Sequence, residues 1–148
     1  MGKLDGRIAI VTGAAQGIGR AIATHFARAG ADVGVVDLDQ GRADEVAAEL
    51  VGFGVKSHGA AADVGDEAAV KRGFAALGDA LGEADILVNN AAVLSFSPLV
   101  EMSAADWDEV IRVDLRSVFL CSREVLPAMA KKKWGRIINV SSQLGHRG

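Results

Sequence analysis

The chain has 148 residues, 50% of them hydrophobic and 24% charged, and a formal net charge of −3. That length suits one domain burying about 68 to 70% of the surface its unfolded chain would expose. The acidic balance argues against a broad nucleic-acid surface, and no apolar run approaches the roughly 20 residues that span a bilayer. The N-terminus has no apolar signal core, Gly6 stands where a myristoylation motif wants Ser or Thr, and the single cysteine, Cys121, has no internal partner. The expected setting is therefore a soluble protein of the reducing cytoplasm, with no membrane or nucleic-acid partner.

The first strand is predicted over residues 7 to 12 and the first helix over 17 to 30. Between them stands VTGAAQGIGR, with glycines at 13, 17 and 19. A phosphate at a helix N-terminus meets free backbone N–H groups and the positive end of the helix dipole, provided that no Cβ holds it away. Gly13 would permit the tight exit from the strand, Gly17 the close approach of a diphosphate, and Gly19 the packing of helix on strand.

The second strand is predicted over 32 to 37 and ends on Asp37, 18 residues after Gly19. That separation is close to the about 20 expected of an acidic residue that binds an adenosine ribose. A carboxylate there accepts hydrogen bonds from the 2′-OH and repels a 2′-phosphate, so NAD is the expected cofactor in preference to NADP. Neither Gln16 nor Leu38 offers a cation to such a phosphate, although Arg42 lies nearby.

Further along, helices are predicted over 41 to 52, 66 to 81 and 103 to 131, and strands over 55 to 62, 85 to 90 and 136 to 141. Strict alternation of strand and helix gives βαβ units, and right-handed crossovers then give a doubly wound parallel sheet. The expected fold is α/β and Rossmann-like, in three layers, with five strands in the order 3-2-1-4-5. Residues 1 to 148 form one NAD-binding domain, expected to lack further C-terminal strands.

The last helix opens on Ser103 with Asp106 three residues on, the form of a capping box. Trp107, Ile111, Val118, Phe119, Leu126 and Met129 follow at helical spacing, and Asp114 falls on the same stripe. A carboxylate there must be paired, hydrogen-bonded or functional. Bonding to the backbone of a neighbouring strand is as plausible as a catalytic role. Lys131 to Lys133 read as a solvated helix end, where cations favour the dipole.

Thr12-Gly13-x-x-x-Gly17-Ile18-Gly19, Asp63-Val64 after the third strand and Asn89-Asn90-Ala91 after the fourth together resemble the short-chain dehydrogenase/reductases. Val113-Asp114-Leu115 and Asn139-Val140-Ser141-Ser142 extend the resemblance from near Leu4 to the chain end. It implies that the backbone of Gly13, Ala14, Ala15 and Gln16, and that of Ile18, line the pyrophosphate. Asp63 and Val64 would flank the adenine, and Asn90 would lie against a ribose. Leu38, Ala91, Ala92 and Val113 complete the implied cofactor set, with Ala92 in place of the usual glycine.

Members of that family move a hydride between the nicotinamide and a secondary alcohol or ketone, while a tyrosine transfers the proton. A phenol near pKa 10 needs help to act as a base at neutral pH, and the family lends it a lysine in a Y-x-x-x-K motif. Ser142 matches the family's substrate-holding serine, with Ser141 as its neighbour. Asp114 replaces an asparagine whose backbone carbonyl serves the proton relay; the carbonyl survives, but the side chain loses its donor.

The tyrosine would follow the serine by about a dozen residues in the family pattern, past Gly148, and the chain has no tyrosine at all. The chain as written is thus expected to bind cofactor and not to turn over. Two alternatives stand beside an NAD-dependent dehydrogenase: a non-catalytic nucleotide-binding or interaction protein, and a methyltransferase of another α/β fold, which fits Asn89-Asn90 poorly. His25, His58 and His146 show no metal-ligand spacing, so no metal is expected. Ser95 to Leu99 and His146 would border the substrate mouth. An unpaired apolar edge at Ile137 to Val140 and an exposed stripe on the helix 103 to 131 would call for a second copy, as homodimer or homotetramer.

Overall fold

A computed structural model describes residues 2 to 143. The elements run in chain order as β1 (Ile8–Thr12), α1 (Gly17–Arg28), β2 (Asp32–Asp37), α2 (Gln40–Val51), β3 (Ser57–Ala61), α3 (Glu67–Leu81), β4 (Ile86–Asn89), α4 (Ala104–Val110), a π-helical segment (Ile111–Arg116), α5 (Ser117–Lys132) and β5 (Arg136–Asn139). All the strand pairs are parallel and the order is β3-β2-β1-β4-β5, as expected. The chain winds outward from β1 to β3, returns to β4, and so leaves a switch point between β1 and β4. No described helix is long and apolar enough to cross a membrane.

Alternation along each strand sends side chains to two separate cores. Ala9, Val11, Val33, Val35, Ile86 and Val88 meet Ala23 and Ala27 of α1 and Ala43, Val46 and Leu50 of α2. Ile10, Val36, Ala60 and Leu87 meet Val70, Phe74 and Leu77 of α3 and Leu120, Cys121, Val125 and Met129 of α5. The three central strands β1, β2 and β4 are buried on both faces, which explains why their sequences read as continuous apolar runs rather than alternating ones. Cys121 is fully buried, and burial, with the nearby Glu124 charge, pushes its thiol pKa up to about 12. It packs as a small apolar residue.

The helix expected over 103 to 131 is not one regular α-helix, because α4 passes into the π segment before α5 begins. The wider π turn changes the phase of the side chains. Val113, Ser117, Cys121, Val125 and Met129 then face inward at steps of four, while Trp107, Phe119 and Leu126 are about half exposed. The start of α4 agrees with the capping expectation: Ser103 Oγ accepts from Asp106 N at 3.0 Å and donates to the Asp106 carboxylate at 2.7 Å.

Two expectations need correction. Lys132 is not a solvated helix end: its Nζ donates to the Glu83 carbonyl at 2.7 Å and to Asp85 Oδ1 at 3.1 Å. Asp85 is buried at the foot of the sheet, where its Oδ2 also accepts from Ile8 N, so a cation is required nearby. Asp114 does not bond a neighbouring strand; its Oδ1 accepts from Val93 N at 2.8 Å, in the loop after β4. At the far side of the sheet β5 pairs only with β4 among the described residues, and Ile138 and Val140 are exposed there.

Candidate dinucleotide site

A cavity of about 380 Å³ opens at the switch point, over the C-terminal ends of the strands. Its walls come from the loop after β1, the ends of β2 and β3, the loop after β4, and the α4 and π segments. Of the residues expected at the cofactor, Gly13, Gln16, Gly17, Ile18, Gly19, Asp37, Leu38, Asp63, Val64, Asn90, Ala91, Ala92 and Val113 line it.

The first helix differs from its neighbours at the N-terminus. Asp39, Asp66 and Ser103 each accept a backbone N–H from the first turn of α2, α3 and α4 respectively. Gln16, the N-cap of α1, provides no such bond, and its helix begins at the cavity wall. The orphan N–H groups and positive dipole end of α1 are therefore left for whatever enters.

The glycines divide the loop into a tight back and an open front. A Cβ at Gly19 would strike the Gly13 carbonyl and come within 2.6 Å of Asn90 Nδ2, so that position admits only glycine. Gly17 sits at φ +54° with nothing within 4 Å of where a Cβ would point. The space a phosphate needs is thus present, and the loop suits the diphosphate of a dinucleotide.

Ala14 and Ala15 do not line the cavity, contrary to expectation. Both are buried behind the loop, where Ala14 N donates to Val36 O at 3.1 Å and Ala15 N to Asp37 Oδ2 at 2.9 Å. The other carboxylate oxygen of Asp37 accepts from Leu38 N at 2.9 Å. Asp37 thereby both reaches the cavity and holds the glycine loop to the end of β2. Thr12 plays a matching part that the sequence did not single out: its Oγ1 accepts from Asn90 N and Ala91 N at 3.0 and 3.1 Å and donates to Val88 O.

Ala62, Val93, Glu109 and Arg112 also line the cavity and were not expected there. Arg112 Nη1 donates to both Asp63 oxygens at 2.8 and 2.9 Å, while its Nε and Nη2 donate to Glu109 at 2.7 and 2.8 Å. Burial acts to raise the Asp63 pKa, but the Arg112 and Gly65 hydrogen bonds and the guanidinium charge together carry it below the ordinary value. The Glu109 pKa is lowered chiefly by its bond to Arg112, and that of Arg112 is raised by both carboxylates. A 49-residue separation between Asp63 and Arg112 left no signal of this pair in the sequence.

Two further candidates lie outside the cavity wall. Asp114 stands behind it on the π segment, bonded to Val93 as described. Ser142 is exposed just beyond β5, at the C-terminal end of the sheet. His146 falls outside the described residues.

A profile of the short chain dehydrogenase family matches residues 7–148. Among curated proteins, the chain is 40% identical over 147 residues to the 3-oxoacyl-(acyl-carrier-protein) reductase FabG of Aquifex aeolicus, covering 99% of this chain and 59% of that protein. It is 41% identical over 141 residues to the D-threitol dehydrogenase of Mycolicibacterium smegmatis, covering 95% and 54% respectively. A crystal structure described as a short-chain alcohol dehydrogenase from Sinorhizobium meliloti superposes with a TM-score of 0.93 at 35% identity, over 98% of this chain and 57% of that one. The chain belongs to the short-chain dehydrogenase family, and it spans a little over half the length of these relatives.

Proposed function

We propose that this chain is the NAD-binding portion of an oxidoreductase that moves a hydride between the nicotinamide and a secondary alcohol or ketone. The observation that carries this reading is the uncapped N-terminus of α1, facing a cavity whose rim holds the Asp37 carboxylate. The main chain at Gly13, Gly17 and Ile18 binds the diphosphate through N–H groups and the dipole. Asp37 accepts from the ribose hydroxyls and disfavours a 2′-phosphate. Asp63 and the Val64 N–H, which makes no hydrogen bond among the described residues, flank the adenine.

NAD supplies the carbon that accepts or returns the hydride. Ser142 would hold the substrate oxygen by a hydrogen bond, with Asp114 behind the nicotinamide end of the cleft. The 148 residues contain no tyrosine. Proton transfer therefore needs a tyrosine and lysine that these residues do not include, and this stretch alone binds without turnover. The exposed Trp107, Ile111, Leu115, Phe119 and Leu126 form one stripe, which supports pairing of two copies through α4 and α5.

Titration calorimetry with NAD and NADP tests the reading. Saturable heat with NAD and weaker binding of NADP are expected. Folded protein that gives no heat with NAD, or that prefers NADP, would overturn it.

A further inference from the structure

The Asp63–Arg112–Glu109 cluster is built more elaborately than an ordinary surface ion pair. Nη1 of Arg112 spans both oxygens of Asp63, and Nε and Nη2 form a second, two-point contact with Glu109 three residues earlier. Such fork geometry fixes the plane of the guanidinium and, through it, the orientation of each carboxylate. All three residues line the cavity.

Gly65 makes the arrangement possible. A Cβ there would run into Arg112 Nη1 and come within 2.8 Å of Cζ and 2.9 Å of Cγ. The backbone at Gly65 is not in the left-handed region, so the glycine answers to contact with Arg112 rather than to its own conformation. The Gly65 N–H also donates to Asp63 Oδ1 at 2.9 Å.

A carboxylate has about four acceptor positions. Gly65 N and Arg112 use two on Oδ1, and Arg112 uses one on Oδ2, which leaves a single acceptor on Oδ2 among the described residues. The neighbouring Val64 N–H makes no hydrogen bond among the described residues. An acceptor and a donor on consecutive residues of the cavity wall match in kind the amino group and ring nitrogen along one edge of adenine. Hypoxanthine presents the opposite pattern, a carbonyl oxygen and a ring N–H.

We infer that Arg112, seated on Gly65 and held also by Glu109, is a positioning residue that aims the remaining Asp63 acceptor and so makes the site select a 6-aminopurine. The inference rests on the reading that this cavity takes NAD. It goes further in assigning to Arg112 and Gly65 the orientation of Asp63.

The test compares dissociation constants for NAD and for nicotinamide hypoxanthine dinucleotide in the unmodified protein, in Arg112→Ala and in Gly65→Ala. The unmodified protein is expected to prefer NAD by about tenfold or more, the worth of one or two well-formed hydrogen bonds. In both variants NAD should weaken by roughly 3- to 10-fold while the hypoxanthine analogue changes little, so the ratio falls toward one. A purely structural role would weaken both dinucleotides alike. Gly65→Ala keeps the arginine and displaces it, so it answers the question if Arg112→Ala folds poorly. An unchanged ratio in both variants would overturn the inference while leaving NAD binding intact; absence of NAD binding in the unmodified protein would remove the functional reading, and this inference with it.

Discussion

The side-chain amide of Asn90 donates to the main-chain carbonyls of Thr12 and Gly13, at 3.0 and 3.2 Å. One asparagine after β4 thereby holds the exit of β1, and with it the floor beneath the glycine loop. The resemblance to the family placed Asn90 against a ribose; here its Nδ2 is already used within the protein, and any contact with the ligand is left to its remaining atoms.

Replacement of Asn90 should therefore act through the loop. Asn90→Ala removes two donors from partly buried carbonyls and is expected to lower stability by about 1 to 3 kcal/mol. Asn90→Asp should be worse, because it sets a carboxylate against two carbonyl oxygens in place of an amide donor. Thermal melting checks the order: Asn90→Asp lowest, then Asn90→Ala, then the unmodified protein.

Two glycines of one loop are expected to fail in different ways. Gly17→Ala places a methyl in open cavity at positive φ, for a strain of roughly 1 to 2 kcal/mol, so it should remain folded and lose most of its NAD affinity. Gly19→Ala drives its methyl into the Gly13 carbonyl and the Asn90 amide, and both must move. It should lose stability and binding together. Circular dichroism beside calorimetry separates the outcomes, and a stable Gly19→Ala that binds NAD normally would contradict the packing described.

The fold was legible because its signals are local. Val- and Ile-rich runs, Ser103 at a helix start, and glycines between β1 and α1 each act over a few residues, and the parallel order follows once strands and helices alternate. What was hidden depends on chain segments far apart in sequence. Arg112 reads as one more charge on a helix until the fold sets it on Gly65, and Ala14 and Ala15 read as phosphate ligands until β2 takes their N–H groups. The π segment gave no signal either, because its apolar residues satisfy a helical period well enough to pass for an α-helix.

Asp37 has two tasks, and its replacement should reveal both. Asp37→Ala removes the acceptor that holds Ala15 N and the carboxylate that the proposed function assigns to the ribose. NAD affinity should fall and the NAD-to-NADP ratio should shrink as the repulsion of a 2′-phosphate disappears. The glycine loop should also loosen, read as faster amide exchange at Ala15. A reduced ratio with unchanged exchange would mean that the Asp37–Ala15 bond does not hold the loop.

At Asp114 the expectation is a near-silent change. Val93 N–H needs only an acceptor, which an asparagine Oδ1 supplies as well as a carboxylate. Asp114→Asn should alter stability by less than about 0.5 kcal/mol, in the range of changes that keep a site's bonds. Asp114→Ala leaves Val93 N–H unpaired in a partly buried place and should cost about 1 to 3 kcal/mol. Urea denaturation distinguishes them; a large loss in Asp114→Asn would indicate that the charge itself is used.

The Asp63–Arg112 pair gives the protein a defined response to acid. Asp63 has a pKa lowered in the folded state, so it binds protons less readily there than in the unfolded chain, whose aspartates titrate near about 3.9. Its contribution is therefore complete above the unfolded value and disappears as pH falls through the lowered folded one. Arg112 stays charged throughout, and Glu109, whose pKa its guanidinium also lowers, titrates in the same acid range as Asp63. The pair is more than a third exposed on the Asp63 side, which makes its contribution modest and sensitive to salt. The stability difference between the unmodified protein and Arg112→Ala should be constant from neutral pH down to about 5, then shrink as both carboxylates protonate, and be smaller throughout in high salt. A difference that persists unchanged below the folded pKa would show that Arg112 stabilises by packing on Gly65 and not by its charge.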